Sequence, residues 1–257
     1  MIESVSELVR NHPSLLRVSR NKEKLIGRDL EVQLLRESLE KKRMKNSIIV
    51  GDAGVGKTAI IQELAYKIKD SYTILEFNLS SALAGTKYRG EFEEKIIGII
   101  RDIVQFNSRG IRPVILFIDE IHTISIAGKG DNSIDAANIL KPYLSRGDIT
   151  IIGATTPSEY KKYIKPDTAI SRRLSPVFIK PLDKEQVIDI LRKFSENSVD
   201  DSILNQIYDF SSQLSGFSNP DISIEILDRC LARRKCTRKT IDEKMLKSVF
   251  SLLTNDL

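Results

Sequence analysis

The hydrophobic positions between residues 24 and 180 follow two spacings that alternate along the chain. Short, nearly continuous apolar runs are typical of buried strands, and apolar residues three or four apart are typical of helices that face a core. The apolar runs predict strands at 48–50, 74–79, 114–118 and 149–154, and the wider spacing predicts helices over 32–39, 61–68, 92–103 and 134–144. This alternation predicts a parallel sheet covered by helices on both faces.

After Pro181 the strand pattern stops and four helical patterns follow. We expect Asp183 to cap the first of these helices, and Thr240-Ile241-Asp242-Glu243 reads as a capping box before the last. His12-Pro13 interrupts a polar, helix-tolerant stretch near the start of the chain. We therefore expect three segments, namely a leading arm at 1–23, an α/β domain at 24–180 and a helical domain at 183–257.

The composition is that of a folded, water-soluble protein, since 41% of the 257 residues are hydrophobic and 29% are charged. Two cysteines and two histidines form neither a disulfide framework nor a zinc-binding pattern. The sequence has no signal-peptide pattern and no run of 18 uncharged apolar residues. We expect a cytoplasmic, reducing compartment and no membrane partner.

The net charge is +5, and part of the excess lies in the basic stretch from Arg229 to Lys239. Such a stretch can bind nucleic acid or an acidic partner, or it can form the solvated face of a helix. Because charge runs are usually solvated, we favour the second interpretation and expect no nucleic-acid partner.

Residues 51–58 read Gly-Asp-Ala-Gly-Val-Gly-Lys-Thr and lie between a predicted strand and a predicted helix. They match G-x-x-x-x-G-K-[ST], in which backbone N–H groups surround phosphates at a helix N-terminus. Lys57 is expected to reach the β- and γ-phosphates and the Thr58 hydroxyl to bind Mg²⁺. A plain glycine-rich turn would not explain the lysine and threonine. We predict ATP contacts from Asp52, Ala53, Gly54, Val55, Gly56, Lys57, Thr58 and Ala59.

The apolar run 114–118 ends in two carboxylates, Asp119 and Glu120. Downstream of a phosphate-binding loop, the first carboxylate is placed to complete the Mg²⁺ shell. The second, Glu120, is a candidate to orient or deprotonate the attacking water. Alone, this short pattern is common and carries little information; the preceding loop makes it a magnesium and catalytic prediction.

Six segments, taken in order and approximate spacing, resemble the first ATPase module of Clp-type unfoldases and disaggregases, which are AAA+ ATPases. They are Ile26-Gly27-Arg28-Asp29, the phosphate-binding loop, GTKYRGEFEE at 85–94, LFIDEIHT at 116–123, GATTPSEYKKYI at 153–164 and Ser171-Arg172-Arg173-Leu174. The resemblance covers about residues 24 to 232. It implies a doubly wound parallel α/β sheet followed by a small helical lid.

The resemblance also assigns roles to residues around the nucleotide. It implies that Ile26, Gly27 and Arg28 hold the adenine side, and that Thr156, with Thr155 beside it, is the polar sensor at the end of a core strand. These roles do not follow from spacing alone.

Arg172 and Arg173 correspond in the resemblance to arginine fingers that enter the nucleotide site of a neighbouring subunit. A guanidinium can stabilise the charge that develops on the γ-phosphoryl oxygens. Fingers that act on a neighbour require a ring-like homo-oligomer, and the resemblance implies a hexamer. Without the other motifs, an Arg-Arg pair would be a solvated surface feature.

Lys87, Tyr88 and Arg89 correspond to the loop that lines the central channel and grips an extended client polypeptide. An aromatic ring suits that role because its contact area tolerates many sequences. A second channel loop would correspond to residues 127–132.

The chain departs from the family pattern in several places. From the sequence pattern we expect no N-terminal adaptor domain, coiled-coil insertion, second ATPase module or peptidase-docking loop, and Ile222 stands where the family's lid has a lysine. The expected function is ATP-dependent remodelling or unfolding of proteins. Two alternatives stay open, namely a nucleotide-dependent module or modulator of a larger Clp-type ring without threading activity, and an ATPase like DNA-helicase loaders.

Overall fold

The computed structural model describes residues 3–20, 25–84, 89–110, 112–126 and 136–254. The chain divides into two compact units, one made of Met1–Gly51 and Lys57–Ile179 and the other of Asp52–Gly56 and Lys180–Leu257. The first unit contains a mainly parallel sheet with helices, and the second is helical. The predicted α/β class with a C-terminal helical unit is confirmed.

The first unit follows the alternation that the sequence predicts. Its strands are β1 (Leu16–Val18), β2 (Ser47–Val50), β3 (Thr73–Phe77), β4 (Val114–Ile118), β5 (Thr150–Thr155) and β6 (Ser175–Phe178). Its helices are α1 (Val5–Asn11), α2 (Asp29–Glu40), α3 (Lys57–Lys67), α4 (Leu79–Ala84), α5 (Arg89–Asn107), α6 (Thr123–Ile126), α7 (Ala136–Arg146), α8 (Pro157–Glu159) and α9 (Thr168–Ser171), with a π-helical turn at Tyr160–Ile164.

The strands lie in the order β1-β3-β4-β5-β2-β6. All neighbours are parallel except β1, which pairs antiparallel with β3. Every residue of β2 and β4 is buried, as expected for apolar runs covered on both faces. Parallel pairing places the carboxyl ends of β2, β4 and β5 at one edge of the sheet, where open α/β sheets bind ligands.

Both edge strands were missed by the sequence analysis. β6 contains Pro176 and exposes Phe178, so it lacks a continuous apolar run. Proline is tolerated there because an edge strand does not need every backbone N–H. β1 has only three residues and alternates in burial.

The segment expected as a leading arm packs onto the α/β unit. Ser4 caps α1 by accepting a hydrogen bond from the Glu7 backbone N–H, and Leu8 is fully buried in the core. His12 Nε2 lies 2.9 Å from Asp102 Oδ2 on α5. These contacts and the pairing of β1 with β3 attach the segment to the sheet.

The second unit is built around a core of apolar side chains from α10 (Lys184–Phe194), α11 (Asp201–Ser211), α12 (Asp221–Thr237) and α13 (Glu243–Thr254). Asp183 caps α10 in a capping box with Gln186, as predicted. The prediction for α13 was wrong in detail, because Asp242 rather than Thr240 accepts the capping hydrogen bond, from the Met245 backbone N–H.

The basic stretch on α12 makes contacts within the helical unit. Arg229 pairs with Glu225 one turn earlier, and Arg233 donates to Ser248 Oγ. Arg234 donates to the backbone oxygen and the hydroxyl of Ser198. The contacts of Arg233 and Arg234 hold α12 against its neighbours with both side chains half-buried, and Arg229 stays exposed, which favours the interpretation as a partly solvated helix face.

The two cysteines lie on α12 and form no disulfide. Burial raises the pKa of Cys230 to about 11 against the opposing charge of Arg233, so this thiol is protonated at neutral pH and packs as an apolar group. Within the described ranges, no helix has the length and apolarity needed to cross a bilayer.

Candidate functional site

The carboxyl ends of β2, β4 and β5 carry the predicted phosphate and magnesium residues to one edge of the sheet. Val50 lies opposite Thr155 in the parallel register of β2 and β5. The next residue, Gly51, donates its backbone N–H to the Thr155 backbone oxygen at 3.1 Å. This hydrogen bond fixes the start of the loop beside the end of β5.

The motif at 51–58 runs into α3, which begins at Lys57, so its last two residues form the start of the helix. Gly56 has a φ of 93° and Gly54 a φ of 79°, conformations that favour glycine. The Lys57 ammonium donates to the Gly51 backbone oxygen at 2.9 Å, which draws the two ends of the loop together. The arrangement places a cation beside a helix N-terminus, where both favour an anion.

Residues 52–56 belong to the same compact unit as the C-terminal helices. The Gly54 backbone oxygen accepts a hydrogen bond from the Asp221 backbone N–H at 3.3 Å, and a Cβ at position 54 would lie 2.8 Å from Asp221 Cβ. Glycine is therefore required at 54 by packing as well as by φ. Ile222, at the position of the family's lid lysine, is buried in the helical core.

Two oxygen ligands suitable for Mg²⁺ lie close together. Thr58 Oγ1 is 3.4 Å from Asp119 Oδ2, and Asp119 Oδ1 accepts the Glu120 backbone N–H at 2.9 Å. Mg²⁺ prefers hard oxygen ligands and is usually held by one or two protein groups together with phosphate oxygens and water. Thr58 and Asp119 therefore fit the predicted ion.

Glu120 is exposed and has a φ of 48°, in the left-handed region. This conformation is uncommon for a residue with a Cβ and persists only where neighbours hold it. Thr123 donates its hydroxyl to the Glu120 backbone oxygen at 2.8 Å, and the Ile121 backbone N–H donates to Ala154 at 2.9 Å. A Cβ at Gly153 would lie 2.7 Å from Ile121 Cδ1, so the turn packs closely on β5.

The end of β5 carries a network of polar side chains. Buried His122 lies 3.1 Å from Thr155 Oγ1 through Nδ1 and 3.1 Å from Glu159 Oε1 through Nε2. Glu159 Oε2 accepts the backbone N–H of Thr156 at 3.2 Å and its hydroxyl at 2.7 Å. Burial raises the pKa of Glu159, but the hydrogen bonds from Thr156 and the charge of His122 outweigh it, so the pKa lies below its usual value.

The sequence analysis gave His122 and Glu159 no functional role. Thr156-Pro157-Ser158-Glu159 matches the capping-box pattern, and α8 does begin with that box. This pattern could have identified Glu159 as a partner of the predicted sensor. The contacts of His122 with Thr155 and Glu159 are visible only in the fold.

The two predicted finger arginines differ in their surroundings. Arg173 Nη1 donates to the Ala169 backbone oxygen at 2.6 Å, within the turn that ends α9. Arg172 is exposed, and its side chain makes no hydrogen bond or ion pair with another described residue. Asp167 caps α9 and pairs with Lys141 at 2.9 Å, so the segment that carries both arginines is anchored.

The predicted adenine segment precedes α2 directly. Ile26 and Gly27 are half-buried, and Arg28 is 3% exposed with Nη1 3.1 Å from Glu31 Oε1. The Arg28 side chain therefore binds Glu31 on α2 and stabilises this segment at the start of the helix. Asp29 Oδ1 lies 3.0 Å from Lys67 Nζ, which links the start of α2 to the end of α3.

The predicted channel loops fall largely outside the described residues. Lys87, Tyr88 and residues 127–132 are not among them, and Arg89 is the first residue of α5. Their roles stay predictions from the sequence.

Residues 47–182 match the family described as "ATPase family associated with various cellular activities (AAA)". Among curated proteins, the "Chaperone protein ClpB" of Aquifex aeolicus (strain VF5) is 39% identical over 227 residues, which are 82% of this chain and 22% of that protein. The protein of the same name from Dichelobacter nodosus is 37% identical over 236 residues, covering 86% of this chain and 27% of that protein. The chain thus spans about a quarter of these relatives.

Two solved structures are similar across most of the chain. A closed-state cryo-EM reconstruction of Hsp104 with ATPγS and FITC-casein has a TM-score of 0.76 and 29% identity, covering 97% of this chain and 44% of that one. The Saccharomyces cerevisiae Hsp104–ADP complex has a TM-score of 0.78 and 30% identity, covering 90% and 42%. The likeness therefore extends through both compact units.

We predict that Lys57→Ala and Glu120→Gln separate nucleotide binding from hydrolysis. Lys57→Ala removes the cation fixed by the loop and should abolish tight ATP binding. Glu120→Gln keeps that cation and should retain ATP while turnover falls by about 100-fold or more. Binding of a fluorescent ATP analogue and phosphate release measure the two effects. Wild-type turnover by Glu120→Gln would show that Glu120 does not act on the attacking water.

Proposed function

The chain belongs to the AAA family of ATPases, and we propose that it hydrolyses ATP with Mg²⁺ to remodel or unfold polypeptides as a ring of identical subunits. The observation that carries the proposal is the 3.4 Å distance between the Thr58 hydroxyl and the Asp119 carboxylate. The residue after Asp119 is Glu120, which lies on a turn with a left-handed backbone conformation. The similarity to chaperone ClpB proteins and to Hsp104 supports the polypeptide as substrate class.

In the proposed reaction each residue at the sheet edge has one task. Lys57 and the loop N–H groups hold the phosphates, and Thr58 and Asp119 hold Mg²⁺, which neutralises charge on the phosphate oxygens. Glu120 orients the attacking water and accepts its proton.

The remaining predicted residues contact other parts of the nucleotide. Thr156 senses the γ-phosphate through its hydroxyl. Ile26, Gly27 and Arg28 lie on the adenine side.

The proposed ring follows from the two arginines that come directly after α9. Arg172 is exposed on an anchored segment, and its guanidinium makes no hydrogen bond or ion pair with another described residue, so it is available to a neighbouring subunit. A guanidinium supplied to another subunit's γ-phosphate can raise turnover by about 10³- to 10⁵-fold. Arg173 lies beside it and supports the turn through Ala169. We propose a hexamer in the cytosol, by similarity to the family.

The proposed client is an unfolded polypeptide held by Lys87, Tyr88 and Arg89. The sequence pattern around Tyr88 supports this role, and the aromatic ring offers contact area without sequence preference. A modulator that joins a larger ring without threading a client would share the ATP site but would not respond to an unfolded protein. The response to client therefore separates the two functions.

Arg172→Ala should lower turnover by at least about tenfold with near-normal ATP affinity, because the loss falls on transition-state charge. Arg173→Ala should lower turnover similarly and also lower the free energy of unfolding by about 1 kcal/mol, since it loses a hydrogen bond to Ala169. Steady-state kinetics, ATP binding and urea unfolding measure these effects.

Mixing tests whether the arginine acts on a neighbour. A Glu120→Gln subunit retains its arginines, so adding it to Arg172→Ala subunits should restore part of the turnover. The control is each variant alone at the same total concentration. No recovery in rings shown to be mixed would mean that Arg172 acts within its own subunit or only supports the structure.

Tyr88→Ala should abolish the stimulation of ATPase activity by a permanently unfolded protein, whereas Tyr88→Phe should keep it, because the grip depends on aromatic surface and not on the hydroxyl. The measurement is the ratio of turnover with and without the unfolded protein. Equal stimulation of wild type and Tyr88→Ala would contradict a grip through this residue. Absence of stimulation in wild type would favour the modulator.

A further inference from the structure

We propose that His122 is a positioning residue for ATP hydrolysis. Its hydrogen bond to Glu159 connects the turn that carries Glu120 to the sensor Thr156. We call the hydrogen-bonded group of His122, Thr155, Thr156 and Glu159 the frame. The role in catalysis rests on the proposed ATPase function. The frame itself is a property of the first compact unit and can be tested without nucleotide.

The turn at Glu120 needs such support. Glu120 has a Cβ and lies in the left-handed region, a conformation that persists only where the surroundings determine it. The Thr123 hydroxyl and the Ile121 backbone N–H bind the turn from the residues that follow Glu120. His122 lies between these two residues in sequence, so the contacts of its side chain with Thr155 and Glu159 restrain the same short segment.

The imidazole of His122 is fixed on both edges and on one face. Its side chain is 8% exposed, and the ring stacks on Tyr163 at 6.1 Å between centroids with an interplanar angle of 21°. Nδ1 meets the Thr155 hydroxyl and Nε2 meets the Glu159 carboxylate, each at 3.1 Å. A buried ring with both nitrogens engaged has little freedom to reorient.

The partner of Nε2 determines where a proton lies. The pKa of Glu159 is below its usual value, so the carboxylate is ionised at neutral pH and can only accept hydrogen bonds. Nε2 therefore carries a hydrogen and donates it to Glu159 Oε1. Nδ1 either accepts from the Thr155 hydroxyl or, in the doubly protonated ring, donates to it.

One carboxylate connects the two sides of the frame. Glu159 Oε1 accepts from His122, and Glu159 Oε2 accepts the Thr156 hydroxyl at 2.7 Å. The sensor hydroxyl is thus oriented by a group that His122 itself orients. When Thr156 turns its hydroxyl towards a phosphate, the Glu159 carboxylate keeps His122 as a partner and is not left unpaired.

His122→Phe is the decisive variant, because it keeps a stacking ring and removes both hydrogen bonds. We expect kcat to fall by about tenfold or more with the KM for ATP within about threefold, since small misplacements of catalytic groups cost this much. His12→Phe is the matched control. His12, the residue after α1, also pairs with a carboxylate at 2.9 Å, that of Asp102 on α5, and its loss should leave kcat within about twofold.

Hydrogen exchange tests the frame independently of turnover. The backbone amides of Ile121 and Thr123 should exchange at least about tenfold faster in His122→Phe than in wild type, while His12→Phe leaves them unchanged.

Further variants test the hydrogen bond between His122 and Glu159. His122→Gln, which keeps an N–H donor for Glu159, should recover part of both kcat and exchange protection. Glu159→Gln should lower kcat, and adding it to His122→Phe should cost less than the sum of the two single effects.

Wild-type kcat and exchange in His122→Phe would overturn the proposal. So would a fall in kcat that His12→Phe reproduces, since that would indicate general destabilisation. If His122→Phe does not fold, unchanged kcat and exchange in His122→Gln and Glu159→Gln overturn it equally. If wild type hydrolyses no ATP, the proposed function fails, and amide exchange still decides whether His122 holds the turn.

Discussion

The parallel pairing of β2 with β5, and of β5 with β4, is the constraint on which the rest of the site depends. It places segments that are far apart in sequence at one edge of the sheet, so the loop after β2, the carboxylates after β4 and the threonines at the end of β5 meet. The hydrogen bond from the Gly51 backbone N–H to the Thr155 backbone oxygen joins the loop after β2 to the end of β5. Every residue of β2 and β4 is buried, so the strands that precede the loop and the carboxylates are held in the core.

This packing allows a backbone conformation at Glu120 that would be unfavourable in isolation. Glu120 adopts a left-handed conformation and stays exposed, while the residues after it are tied down by backbone and side-chain contacts. The Asp119 carboxylate lies 3.4 Å from the hydroxyl of Thr58, and the ammonium of the preceding residue, Lys57, donates to the Gly51 backbone oxygen. A polyphosphate and a divalent cation are ligands whose charges such a site can balance. The geometry thus favours nucleotide chemistry at this edge.

The sequence predicted the parts of the fold that depend on local pattern. Apolar runs located β2, β4 and β5, and the loop motif located the start of α3, because both signals lie within a few residues. The edge strands β1 and β6 were not predicted, since they are short and acquire their strand conformation from the neighbour they pair with. Asp242 replaced Thr240 as the cap of α13 because the position of the cap depends on where the helix packs. The contact between His122 and Glu159 joins the turn after β4 to α8, and only the sheet brings these two segments together.

The central claim is that ATP turnover by this chain requires a neighbouring subunit. It is tested most directly by measuring ATPase rate per subunit against protein concentration, with assembly followed by light scattering in the same samples. The account predicts a rate per subunit that rises with assembly and then reaches a plateau. A full rate per subunit from protein shown to be monomeric would contradict it.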